Sequence, residues 1–70
     1  MVDRNKIGVK VAQIRESRKI SRQELAVRSE LKQELIAQIE SGELIPSLAP
    51  LIKIARVLGV RLGTFLDDLE

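Results

Sequence analysis

The side chains best suited to chemistry fall in one stretch, Ser21 to Gly42, which reads SRQELAVRSELKQELIAQIESG. Ile36 and Ile39 stand three apart there and can face inward together, leaving Gln33, Glu34, Ala37, Gln38 and Ser41 on the outer side of a short helix, roughly Lys32 to Ser41. A row of amides and a carboxylate on an exposed helix face matches the edges of DNA bases. Gln bonds adenine through two contacts, Glu accepts from the cytosine amino group, and Ala meets the thymine methyl. Each good pair discriminates by ~1–3 kcal/mol. Glu34 also repels phosphates, which penalises mispositioned complexes. The pattern points to a helix for the major groove of double-stranded DNA, although solvated helix residues look the same one by one.

Composition narrows the alternatives. Seventy residues make one domain, near the lower size at which a core sustains a fold without staples. There is no Cys and no His, which removes disulfides, the usual zinc ligands and the commonest general base. An enzyme built this way would run on carboxylates, Lys, Ser or Thr, so no catalytic residue, metal site or cofactor is assigned. No apolar run approaches the ~20 residues of a membrane span and MVDRNK lacks the apolar core of a leader, so no membrane partner and a cytoplasmic address are expected. One Phe and no Tyr or Trp speak against a stacking surface for single strands. Residues 1–32 carry nine Lys/Arg against four Asp/Glu, net +5, whereas residues 33–70 carry three against six, net −3. A basic front suits an anionic partner, and a merely solvated basic face accounts for it equally well.

The elements that must position the Gln-rich helix follow in order. Ile7, Val11 and Ile14 recur at spacings of four and three within a first helix from Asn5 to Arg18, with Arg15 at the edge of the core and Lys10, Arg18 and Lys19 on the wet side or end. Ser21-Arg-Gln-Glu24 is a capping box that starts a second helix, in which Ser accepts from the Glu amide and Glu reaches back to the Ser amide. The free N–H groups of that helix start, beside Arg22, would suit a phosphate, although taken alone Arg22 reads equally well as an exposed first helical residue. The second helix ends near Arg28 or Ser29, and Leu31 plugs the core from the turn. Gly42 suits the end of the third helix. Ser47 is expected to cap a fourth helix, Leu48 to Leu58, with Leu48, Leu51, Ile54, Ala55 and Leu58 as its apolar stripe. Gly59 closes it, and a short fifth helix runs from about Gly63 to Asp67 with Phe65 and Leu66 inward.

Ile14-Arg15-Glu16, Ser21-x-x-Glu24-Leu25-Ala26, Ile36-x-x-Ile39-Glu40-x-Gly42 and Pro46-Ser47-Leu48-x-x-Leu51-x-x-Ile54-Ala55-x-x-Leu58-Gly59-Val60 together resemble the phage repressor/Cro-type (XRE) helix-turn-helix family. The match runs from about residue 7 to residue 66. It implies an all-α, compact five-helix lambda-repressor-like bundle over residues 1–70, with the helix-turn-helix at about 21–41. The run Pro46 to Asp68 also resembles bacterial regulators in which this domain precedes a cupin sensor domain.

The family resemblance assigns roles to individual residues. Arg15 and Glu40 take the positions of an ion pair joining the first helix to the end of the third. Arg22 stands where the family commonly has a phosphate-gripping Gln. Gln33, Glu34 and Gln38 fall on base-reading positions, with Ala37 beside them; Lys32 and Leu35 fall on neighbouring positions that touch the DNA backbone or thymine methyls, and Ser41 joins Arg22 in contacting the backbone. Lys10, Arg18, Lys19 and Arg28 are further candidates for phosphate contact. Three departures stand out: Glu30 where Gly is usual, Lys32 where Ser or Thr caps the third helix, and Glu43-Leu44-Ile45 where basic residues often follow.

The function so implied is sequence-specific DNA binding by a transcriptional regulator, as a homodimer over two half-sites, with the effector ligand left open. Pairing runs through Leu44, Ile45 and Leu62 to Leu69 or through parts outside this chain. The competing reading is a protein-interaction or antitoxin-like module on the same fold. The carboxylates Asp67, Asp68 and Glu70 suggest a cation site only if they are more than a solvated tail.

Overall fold

A computed structural model describes residues 4–66. Five helices follow one another: α1 (Arg4–Ser17), α2 (Arg22–Ser29), α3 (Gln33–Ser41), α4 (Leu48–Leu58) and α5 (Gly63–Leu66). There is no strand among the described residues. The core is one cluster in which Val11, Leu25, Ile36, Ile39 and Ile54 are completely buried and Leu51, Leu58 and Phe65 nearly so. α3 packs on α1 and α2, α4 on α2 and α1, and α5 on α1. The helix that carries the candidate chemistry is thus held from two sides.

Local chemistry explains the boundaries. α1 ends one residue before the expected Arg18, because Lys19 turns left-handed (φ 57°) and the Ile20 amide returns to the Arg15 carbonyl at 3.2 Å. At α2 the Ser21 hydroxyl accepts from the Glu24 amide at 3.0 Å. The other half of the expected capping box is replaced, since the Glu24 carboxylate pairs with Arg28 one turn on at 2.6 Å. Ser29 closes α2 from inside, its buried hydroxyl donating to the Leu25 carbonyl at 2.6 Å. Glu30 then takes the left-handed conformation (φ 60°, ψ 35°) and donates its amide to the Ala26 and Val27 carbonyls. Leu31 follows into the seam between α2 and α3 and packs against the core.

α3 starts at Lys32, whose side chain makes no capping hydrogen bond, and stops at Gly42 (φ 84°). Its close approach to α1 depends on Gly8, which no sequence pattern singled out. A Cβ at Gly8 would run into the carbonyl oxygen of Ile39 and come within 2.9 Å of that of Glu40.

α4 departs from expectation at its first turn. Ser47 occupies the N-cap position without a side-chain capping bond. Leu48 is 57% exposed, because the apolar stripe runs past the edge of the core there and burial begins only at Leu51. Gly59 (φ 73°) ends the helix. Phe65 of α5 is buried and Leu66 half-buried, while the expected end at Asp67, and with it the Asp67, Asp68 and Glu70 cluster, lies outside the described residues.

Candidate nucleic-acid interface

The exposed side of α3 forms one wall of an open groove of about 360 Å³ lined by Arg22, Glu34, Ala37, Gln38, Ser41 and Glu43. Ile36 and Ile39 are fully buried, so the helix cannot rotate these residues away without emptying the core. Gln33 and Lys32 stand exposed at the N-terminal end of the same helix. Leu35 is half-buried against the core and does not line the groove. Ser41 donates its hydroxyl to the Gln38 carbonyl at 3.1 Å, and the Leu44 amide bonds the same carbonyl at 3.2 Å, so the chain leaving α3 folds back along it. Glu43 is thereby brought onto the groove, a placement that the sequence pattern does not indicate.

Beneath one end of the groove lies the carboxylate of Glu40, whose side chain is 2% exposed. Arg15 Nε donates to its Oε2 at 2.7 Å and Nη2 to Oε1 at 3.2 Å, a two-pronged pairing. Arg15 Nη1 also donates to the Ile20 carbonyl at 2.8 Å, which ties the α1–α2 connection to the same centre. The hydrogen bond to Glu40, with the Glu40 and Glu16 charges adding, raises the Arg15 pKa above its ordinary value against the opposing effect of burial. A second cation joins from α2: Arg22 Nε donates to Glu40 Oε1 at 2.8 Å, with the Arg22 side chain 51% exposed. Nothing in the spacing of Arg22 and Glu40 signalled that contact, since it exists only once α2 and α3 are packed.

Of the other phosphate candidates, Arg18, Lys10 and Arg28 have partners within the fold. Arg18 Nε caps the end of α4 by donating to the Leu58 carbonyl at 3.0 Å, and Lys10 Nζ donates to the Thr64 carbonyl at 3.0 Å. Arg28 pairs with Glu24 and lines a separate cleft with Glu30, Lys53 and Arg56. Lys19 is exposed at the end of α1. Besides the buried Arg15, the exposed cations Arg22 and Lys32 stand beside α3.

Two short helices joined by a tight turn, the second held outward over a five-helix core, define a repressor-like helix-turn-helix domain. The helix-turn-helix family model HTH_3 matches residues 11–65, and the chain belongs to that family. An uncharacterized HTH-type transcriptional regulator, y4dL, of Sinorhizobium fredii is 44% identical over 48 residues, covering 69% of this chain and 24% of that protein. The chain therefore spans about a quarter of the length of this curated relative. Among solved structures, the restriction-modification controller protein C.AhdI from Aeromonas hydrophila superposes with TM-score 0.87 at 25% identity, covering 90% of this chain and 96% of that one. The biofilm master regulator SinR, solved in complex with DNA, gives TM-score 0.84 at 32% identity over 87% of this chain and 98% of that one.

Proposed function

We propose that this chain is the DNA-binding domain of a transcriptional regulator, with α3 entering the major groove of double-stranded DNA. The observation that carries the reading is the α3 groove. It gathers Glu34, Ala37 and Gln38 on a helix locked by Ile36 and Ile39, with Arg22 at its edge. Gln33, Glu34, Ala37 and Gln38 address base edges. Arg22 and Lys32 grip phosphates on either side, and Ser41 borders the backbone. The SinR complex with DNA supports the mode of binding by fold. Leu35 contributes through its core contact, which fixes the pitch of α3.

One domain reads only a few base pairs, and two copies across half-sites about 34 Å apart supply the rest. The surface for pairing is Leu44, Ile45, Leu48 and Ile52, all exposed, in place of Leu62 and Leu66, which pack against the core. The y4dL relative is about four times longer than the matched region, which supports placing effector sensing, by a cupin or another domain, in a longer regulator, with the cytoplasm as its proposed site of action. No described helix is long and apolar enough to cross a membrane. A protein-interaction module is the second reading, favoured by the acidic and apolar Glu43-Leu44-Ile45 loop that replaces phosphate-gripping residues.

The test is selection from a random duplex pool, with the bound fraction sequenced at about 50 and 200 mM salt. A recovered motif with weaker binding at the higher salt is expected. No duplex binding at either salt, together with capture of a specific protein partner, overturns the reading in favour of the interaction module.

A further inference from the structure

We infer that Glu40, which is too buried to touch DNA, is a positioning residue that tethers the Arg22 guanidinium by its Nε–H and so presents its outer Nη groups to a backbone phosphate. The inference rests on the DNA-binding reading and deepens it. A guanidinium has five N–H donors in a rigid plane, and a side-on bond through Nε leaves those at the far end able to meet an anion. Glu40 Oε1 receives that Nε–H at 2.8 Å, while Arg15 holds both carboxylate oxygens, Oε2 at 2.7 Å and Oε1 at 3.2 Å. The carboxylate is itself immobile, because Arg15 is fixed a third time on the Ile20 carbonyl. Arg22, by contrast, lies half-exposed at the first residue of α2, and it lines the α3 groove. One end of the guanidinium is thus anchored in the core and the other is turned to the groove.

Two consequences distinguish this arrangement from a surface point charge. The ordering of a long, flexible side chain is completed before DNA arrives, so its entropic cost is removed from binding. Lysine also cannot substitute, since its single ammonium cannot hold Glu40 and reach outward along a second edge.

The experiment measures affinity for a short mixed-sequence duplex at about 50 mM salt, because phosphate contacts are sequence-blind. Wild type, Arg22→Ala, Glu40→Gln and the double variant form a cycle. Glu40→Gln is expected to weaken binding roughly two- to tenfold when Arg22 is present and to have little effect once Arg22 is gone. Equal weakening in both backgrounds assigns Glu40 a purely structural role and overturns the inference. Since Glu40→Gln also loosens Arg15 and can unfold the domain, Arg22→Lys is measured alongside. Its affinity is expected to fall to the level of Arg22→Ala, and wild-type affinity for Arg22→Lys overturns the tether. If wild type itself fails to bind the duplex, the DNA-binding reading falls and takes the tether with it, an outcome distinct from additive behaviour in variants of a binding protein.

Discussion

Two residues outside the α3 groove, Arg15 and Gly8, decide whether α3 has a place to sit. Arg15 is buried with its charge compensated by Glu40, so Arg15→Met leaves a carboxylate at 2% exposure facing only Arg22. An uncompensated buried charge costs roughly 3–5 kcal/mol, and with Arg22 still bonded to Glu40 the loss is expected at or below the lower end of that range. Urea denaturation followed by circular dichroism is expected to show that loss, and a loss below about 1 kcal/mol would mean that the pair is solvated in solution. The raised Arg15 pKa gives the sign of the pH dependence. This stabilisation is complete below the ordinary arginine range and is lost only as pH climbs beyond it, so neutral and mildly alkaline buffers leave it intact. Gly8 works by absence. Because a Cβ there meets the Ile39 and Glu40 carbonyls, which are backbone and cannot swing aside, Gly8→Ala is expected to cost about 1–3 kcal/mol in the same assay. A neutral Gly8→Ala would show that α1 and α3 lie further apart.

Between the helices, stability is set by two ends that this sequence leaves unoptimised. Glu30 holds a left-handed backbone that glycine adopts without steric cost, so Glu30→Gly is expected to stabilise by about 1 kcal/mol. Thermal unfolding reads this as a rise of roughly 4–8 °C, and a fall in melting temperature would show that contacts of the Glu30 side chain outweigh the strain. Lys32 is the counterpart at the start of α3, where the N-cap makes no side-chain bond. Lys32→Thr is expected to gain about 1 kcal/mol of stability while weakening duplex binding, which separates the cap from the cation. Stabilisation with unchanged affinity would remove Lys32 from the interface. These element ends were legible in the sequence, because a cap, a glycine stop and an apolar stripe are each written within a few neighbouring residues. What could not be read there depends on packing between elements. The meeting of Arg22 with Glu40, the demand for Gly8 and the exposure of Leu48 all follow from which helix lies alongside, whereas the turn of Glu24 towards Arg28 is a contact one helical turn apart within α2. The row of polar residues on α3 was legible for the same reason as its caps, since Ile36 and Ile39 alone orient the helix.

At the scale of the molecule, the dimensions constrain the proposed pairing of two copies on one operator. The principal extents are 32 × 22 × 21 Å, whereas half-sites one turn apart place the two domain centres about 34 Å from each other. Copies related in this way touch only when they approach along the long dimension, and then over a narrow seam. Leu44, Ile45, Leu48 and Ile52 provide the exposed apolar side chains for such a seam, next to the loop that carries Glu43 into the groove. Four side chains bury far less than the roughly 1,000 Å² of a stable interface. The domain is therefore expected to sediment as a monomer and to pair only when DNA raises the local concentration of the second copy. Ile45→Glu places a charge on the seam without entering the core. On a duplex carrying two selected half-sites it is expected to abolish cooperativity, while single-half-site affinity and melting temperature stay within error of wild type. Cooperative binding that survives Ile45→Glu would move the seam off this face.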